Sequence, residues 1–276
     1  MSQEPMRVMA FGAHPPDVVS RAGGTLAKHT RRGDIVMAVS LTDGVRHMNP
    51  SLSLFPVVGP EAVEKVAEIK REEMKEACQA LGVQNVRCLG LRDSPFSVDH
   101  ATLRVLSDTI REFRPDIILT HHPEETYLTG HNDHGDAGDA VLRAYMLAME
   151  LGFESQYLPF VANNVYTFDA GLINLNGPGL GHMGQPTIFV DISEVIEAKK
   201  RALLALGRTM PYTEESVDRT LAKTWGREGI AGADYVEGFC AIHTPVVDYL
   251  ERRTKGRWLL GPQPKEWESL TLWPDE

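Results

Sequence analysis

The stretch RVMAFGAHPPDVVSRAGGTLAKHTRRGDIVMAVSL, residues 7–41, decides the fold. Residues 7–12 form a short apolar run and read as a buried strand. Residues 20–32 read as a helix, with Gly33 as its stop signal. Residues 35–41 (IVMAVSL) are apolar and β-rich throughout and read as a second buried strand. Two strands with no polar face, joined by a helix, predict a parallel pair covered on both sides.

The alternation continues outward. Residues 61–81 predict a long helix: Val63, Val66, Ile69, Met74, Ala77 and Leu81 fall near 3.6 spacing, and Gly82 ends it. Strands are expected at 85–91, 116–120, 164–168 and 187–191, and helices at 100–113, 135–151, 193–206, 213–227 and 234–250. The segment 170–186, rich in Gly, Asn and Pro, reads as a loop over the site. The fold class expected is α/β, a Rossmann-like, mostly parallel sheet with helices on both faces. One catalytic domain over residues 1–255 with a tail at 256–276 is the simplest organisation, because no convincing linker divides the chain.

Composition narrows the function classes. A formal net charge of −10 argues against a nucleic-acid-binding surface, yet a local Arg cluster can still receive an anionic small molecule. Cys78, Cys88 and Cys240 are odd in number and form no CxxC pair, so they read as small buried residues in a reducing cytoplasm. The N-terminus reads as neither signal peptide nor membrane span, so no membrane association is expected. A homo-oligomer is compatible with the sequence.

Ligands of parallel sheets bind at the carboxyl ends of the strands. The polar clusters of this chain fall there. Ala13-His14-Pro15-Pro16-Asp17 follows the first strand, and His131-Asn132-Asp133-His134 follows the strand at 116–120 and opens a helix. Imidazole nitrogen and carboxylate oxygen are zinc donors, and a catalytic zinc keeps three protein ligands. His14, Asp17 and His134 are therefore the candidate metal ligands for one zinc per chain, although such a set suits other divalent ions. Asp133 is placed to hold a ligand by hydrogen bond.

These motifs resemble the PIG-L/LmbE-like family of N-acetylglucosaminyl de-N-acetylases. That family opens with Ala-His-Pro-Asp-Asp and then Gly-Gly-Thr-Leu; this chain has AHPPD and GGTLA. Its second motif is His-Pro-Asp-His, where this chain has HNDH. The stretches LTDG (41–44), KREEMKEACQALGV (70–83), FVDISEVIEAKKRAL (189–203) and GREGIAGADYVEGF (226–239) also fit, so the resemblance covers roughly residues 7–250. It implies that His14, Asp17 and His134 bind zinc and that His131 polarises the substrate carbonyl or stabilises its oxyanion.

The chain departs from the family at one decisive position. The first Asp of Asp-Asp is the hydrolases' general base, and Pro16 stands there. Losing such a base costs about 10²–10⁴-fold in rate. The 4-oxalomesaconate hydratases within the family resemble the chain more closely. They keep the zinc triad, lack the base, and carry an Arg before the Gly-Gly, where this chain has Arg21. The expected reaction is therefore hydration of a small unsaturated carboxylate, with Arg21 and Arg46 binding its carboxylates and His47 or His182 donating a proton. Two features differ from that branch: Gly44-Val45-Arg46-His47 replaces its Gly-Glu-Arg-Gly, and Phe168 is followed by Asp169-Ala170-Gly171 rather than by its Glu-Pro-His. The alternatives are an N-acyl or amide hydrolase using Glu124, Glu125 or Asp43 as a replacement base, and a non-catalytic metal- or sugar-binding member.

Overall fold

The structure is a computed structural model that describes residues 4–46, 59–125, 132–168, 186–225 and 233–242. In chain order the elements are β1 (Arg7–Gly12), α1 (Pro15–Arg32), β2 (Ile35–Thr42), α2 (Pro60–Ala80), β3 (Asn85–Leu91), α3 (His100–Phe113), β4 (Ile117–Thr120) and α4 (Asn132–Met149). There follow β5 (Asn164–Phe168), β6 (Ile188–Asp191), α5 (Ile196–Ala205), α6 (Glu214–Trp225) and β7 (Val236–Ala241). The sheet order is β3-β2-β1-β4-β5-β7-β6. The first five strands are parallel, and β7 runs antiparallel to both β5 and β6.

Period-two alternation sorts β1 onto two cores. Val8 and Ala10 join one apolar cluster, with residues of α1, α2, α5 and α6. Met9 and Phe11 join the other, beneath α3 and α4. The order of strands reverses between β1 and β4, and such a switch point opens a crevice at the carboxyl edge of a sheet. Among the described residues, no helix is long and apolar enough to cross a membrane. Cys78 and Cys240 are buried and Cys88 is half-buried, all as free thiols.

Two expectations need correction. The first helix begins at Pro15, not residue 20. Proline is pre-set for the first helical turn and loses no hydrogen bond there, and the Asp17 carboxylate accepts from the backbone N–H of His14 at 2.7 Å. The segment 234–250 is not an expected helix at its start, because residues 236–241 form strand β7, buried between β5 and β6. Sheet pairing on both sides, available only in the folded chain, overrides the local reading.

A buried ion pair locks this last strand to α1. Lys199 and Glu237 are both buried, and Nζ lies 2.5 Å from Oε1. Glu237 accepts from the backbone N–H groups of Gly24 (2.8 Å) and Thr25 (2.7 Å), while Lys199 donates to the Ser20 carbonyl (3.0 Å). In a regular helix the Gly24 N–H would meet that same Ser20 carbonyl, so the pair serves both ends of one rung of α1. Gly24 is needed for the approach, since a Cβ there would lie 2.7 Å from Ile192. We expect Lys199→Met to strand the Glu237 charge and cost about 3–5 kcal/mol, read as a lowered urea midpoint. An unchanged midpoint would contradict this account.

Candidate metal centre

Strand ends and helix starts converge at the switch point. His14 caps the N-terminus of α1, and Asp17 sits in its first turn. His134 lies in the first turn of α4. Three donor atoms face one another: His14 Nδ1 and His134 Nε2 are 3.3 Å apart, His14 Nδ1 and Asp17 Oδ2 3.4 Å, and His134 Nε2 and Asp17 Oδ2 3.5 Å. Tetrahedral bonds of about 2.0–2.1 Å imply donor separations of roughly 3.3–3.4 Å. The near-equilateral triangle therefore fits a zinc-sized divalent ion.

Each imidazole has a carboxylate behind it. His14 Nε2 faces Asp133 Oδ2 at 3.4 Å. His134 Nδ1 lies 2.9 Å from Glu125 Oε1, within reach to donate. Such partners fix the tautomer and aim the other nitrogen at the ion. Asp133 is itself anchored by the backbone N–H groups of Ser94 (2.8 Å) and Phe96 (3.0 Å). Glu125 is fully buried and also accepts from Arg21 Nη2 at 2.5 Å.

His121, which lies outside both the AHPPD and HNDH motifs, completes the cluster. It follows β4 directly and is fully buried. Its Nδ1 is 2.9 Å from Glu125 Oε2, and its Nε2 is 3.2 Å from Asp17 Oδ2. The ring stacks on His134 with centroids 4.4 Å apart and meets Phe168 edge-on. Gly138 permits this, because a Cβ there would lie 2.4 Å from the His121 carbonyl oxygen. The signal was its place at a strand's carboxyl end, the same criterion that singled out His14.

The electrostatics call for positive charge. Burial opposes ionisation of Asp17 and Glu125, yet the surrounding histidines hold both well below the usual carboxylate range. Burial works the same way on Asp133, but hydrogen bonds from His14 and two backbone amides bring it down to about 2. Burial also disfavours charge on His14, but its bonds to Asp133 and Asp17 prevail and raise it to about 9. At His134 burial prevails and the pKa falls. Three buried carboxylates thus stay ionised around one point, as a cation site requires.

The other expected residues are dispersed. Arg21 is held by Glu125, and Arg46 by Asp93, through its backbone N–H (2.6 Å) and its guanidinium (3.1 Å). Asp43 pairs with Arg71 at 2.9 Å. Glu124 turns toward His122, at 3.8 Å. His47, His131 and His182 lie outside the described residues.

The sequence model described as GlcNAc-PI de-N-acetylase (PIG-L) matches residues 9–145. The chain is 29% identical over 238 residues to diacetylchitobiose deacetylase of Thermococcus kodakarensis, across 84% of this chain and 81% of that protein. It is 29% identical to 4-oxalmesaconate hydratase of Pseudomonas putida, across 71% and 70% respectively. The crystal structure of the 4-carboxy-2-hydroxymuconate hydratase from Pseudomonas putida superposes with a TM-score of 0.73 at 25% identity, covering 89% of this chain and all of that one.

We expect the metal-free protein to take up one equivalent of Co²⁺, read by its visible absorption. Glu125→Gln should weaken that binding about 10–100-fold by disturbing the hydrogen bond behind His134. Equal affinity in the variant would remove Glu125 from the centre.

Proposed function

The chain carries a PIG-L family domain, and on that premise we propose that it is a zinc-dependent hydratase adding water to a small unsaturated carboxylate. Both hydrolytic and hydrating relatives are enzymes, and so is this chain. The observation that carries the proposal is Pro16. It stands where the resemblance expects the hydrolases' base, buried in the first turn of α1 beside Asp17. No proton can be taken up there. The carboxylates close by are engaged: Glu125 with Arg21, His121 and His134, Asp133 with His14 and two backbone amides, and Asp93 with Arg46. Amide hydrolysis in the family's manner therefore lacks its base, while hydration of a conjugated bond relies more on stabilising the enolate that develops. The likeness to a Pseudomonas putida hydratase, in sequence and in fold, supports the same choice.

His14, Asp17 and His134 would hold the zinc, which when bound supplies Lewis acidity and a water of lowered pKa. Asp133 and Glu125 would keep the two imidazoles aimed. His131 would stabilise the oxyanion of the developing enolate. His47 or His182 would deliver the proton to carbon, so that hydroxide and proton add across the double bond and no other product forms. The substrate is an anionic small molecule, and the reading puts the enzyme in the cytoplasm.

A second reading is favoured by the 29% identity to a deacetylase over 84% of the chain. It makes the protein an N-acyl hydrolase with a replacement base, and of the three candidates Glu124, Glu125 and Asp43 the most open is Glu124, its side chain 37% exposed.

The assay is direct. Zinc-loaded enzyme mixed with an unsaturated oxo-dicarboxylate or oxo-tricarboxylate should bleach the conjugated ultraviolet band, while N-acetylglucosamine derivatives stay intact. Pro16→Asp should add deacetylase activity, by up to about 10²–10⁴-fold over the parent. Cleavage of acetylated sugars by the parent, with no hydration of any conjugated acid, would replace this reading with the hydrolase one.

A further inference from the structure

Resting on the hydratase reading, we infer that Lys70, rather than Arg21 or Arg46, is the cation that receives a carboxylate of the substrate. The two arginines are already held by buried acids, Glu125 and Asp93. Arg71 is divided between Asp43 and Glu64, and Lys199 is paired with Glu237. A groove of about 420 Å³ at the far end of α1 carries Lys28, Arg31 and Arg32, but these also bind acids or a carbonyl, and none of its lining residues belongs to the metal cluster.

Lys70 differs from all of these. It is only 3% exposed, and among the described residues nothing hydrogen-bonds to its ammonium or lies within ion-pair distance. A small part of the residue nevertheless remains accessible. A buried, unpaired ammonium is costly. A site that binds an anion gives it a reason to stand there.

Its position follows from helix phase. Lys70 lies on the inward stripe of α2, one turn beyond Val66 and Ala67. Those two pack against Val45, in the loop that follows β2. The same loop abuts the metal cluster: a Cβ on Gly44 would come within 2.9 Å of the His14 side chain. The charges acting on Lys70 agree with this placement. Burial lowers its pKa, against the attraction of Glu73, Asp17, Asp93 and Asp43 in that order. One of these, Asp17, belongs to the metal triad. An anion entering the crevice would meet these acids as repulsion, and Lys70 is the compensating cation on that side.

The test uses zinc-loaded protein and tricarballylate, a saturated tricarboxylate, titrated calorimetrically into wild type, Lys70→Met and Lys70→Arg. Wild type should bind. Lys70→Met should lose about tenfold or more in affinity, the scale of one charge-assisted hydrogen bond, and Lys70→Arg should recover part of it. Zinc content and melting temperature should hold or rise in Lys70→Met, because an apolar side chain replaces an unpaired buried charge. With an unsaturated acid as substrate, KM should rise far more than kcat falls. If wild type hydrates the acid and Lys70→Met binds tricarballylate equally well, this inference fails and the hydratase reading stands. If Lys70→Met instead loses zinc or melts early, Lys70 serves only to balance the buried acids, and the inference also fails. If wild type binds no carboxylate and cleaves an amide, both fail together.

Discussion

A single carboxylate oxygen organises the centre of this protein. Asp17 Oδ2 accepts the backbone N–H of His14 and stands 3.2–3.5 Å from nitrogens of His14, His121 and His134. The first contact is local and sets the start of α1. The others bring together the ends of β1 and β4 and the head of α4. A buried carboxylate must be compensated, so this one oxygen obliges three segments distant in sequence to meet.

The architecture around it keeps that geometry rigid. Parallel strands on both sides of the switch point place their carboxyl ends at one edge. Gly138 lets α4 press against the end of β4, and Gly24 lets α1 sit against Ile192 while Glu237 and Lys199 bridge its backbone. Hydrogen-bonded carboxylates behind His14 and His134 then leave little freedom in the rings. A centre built on element termini and backed in this way is preorganised for a cation.

The same economy of charge limits the chemistry. Acids that a motif reading offers as bases, Glu125 and Asp43, are engaged by arginines, and so is Asp93 beside them. Their partners, Arg21 and Arg46, are correspondingly less available to a substrate. Cations and acids that look independent in sequence cancel one another in space, as Arg21 does with Glu125 and Arg46 with Asp93.

Much of this was written in the sequence. The alternation of apolar runs with helices gave the α/β class, because a strand buried on both faces has no polar side to display. Most element ranges followed, and His14, Asp17 and His134 were marked by motif and by their place at strand ends. Other features required the folded chain. Strand β7 owes its form to two neighbours far away in sequence, so its local pattern could not distinguish it from a helix. His121 belongs to no motif with His134, and its contacts with Asp17, Glu125 and the His134 ring form only in the folded chain. The pairings of Arg21 with Glu125 and of Arg46 with Asp93 join side chains 104 and 47 residues apart, and the absence of a partner for Lys70 among the described residues likewise follows only from the folded chain. Local sequence encodes which groups sit at an element's end; only tertiary packing decides which charges are left for a ligand.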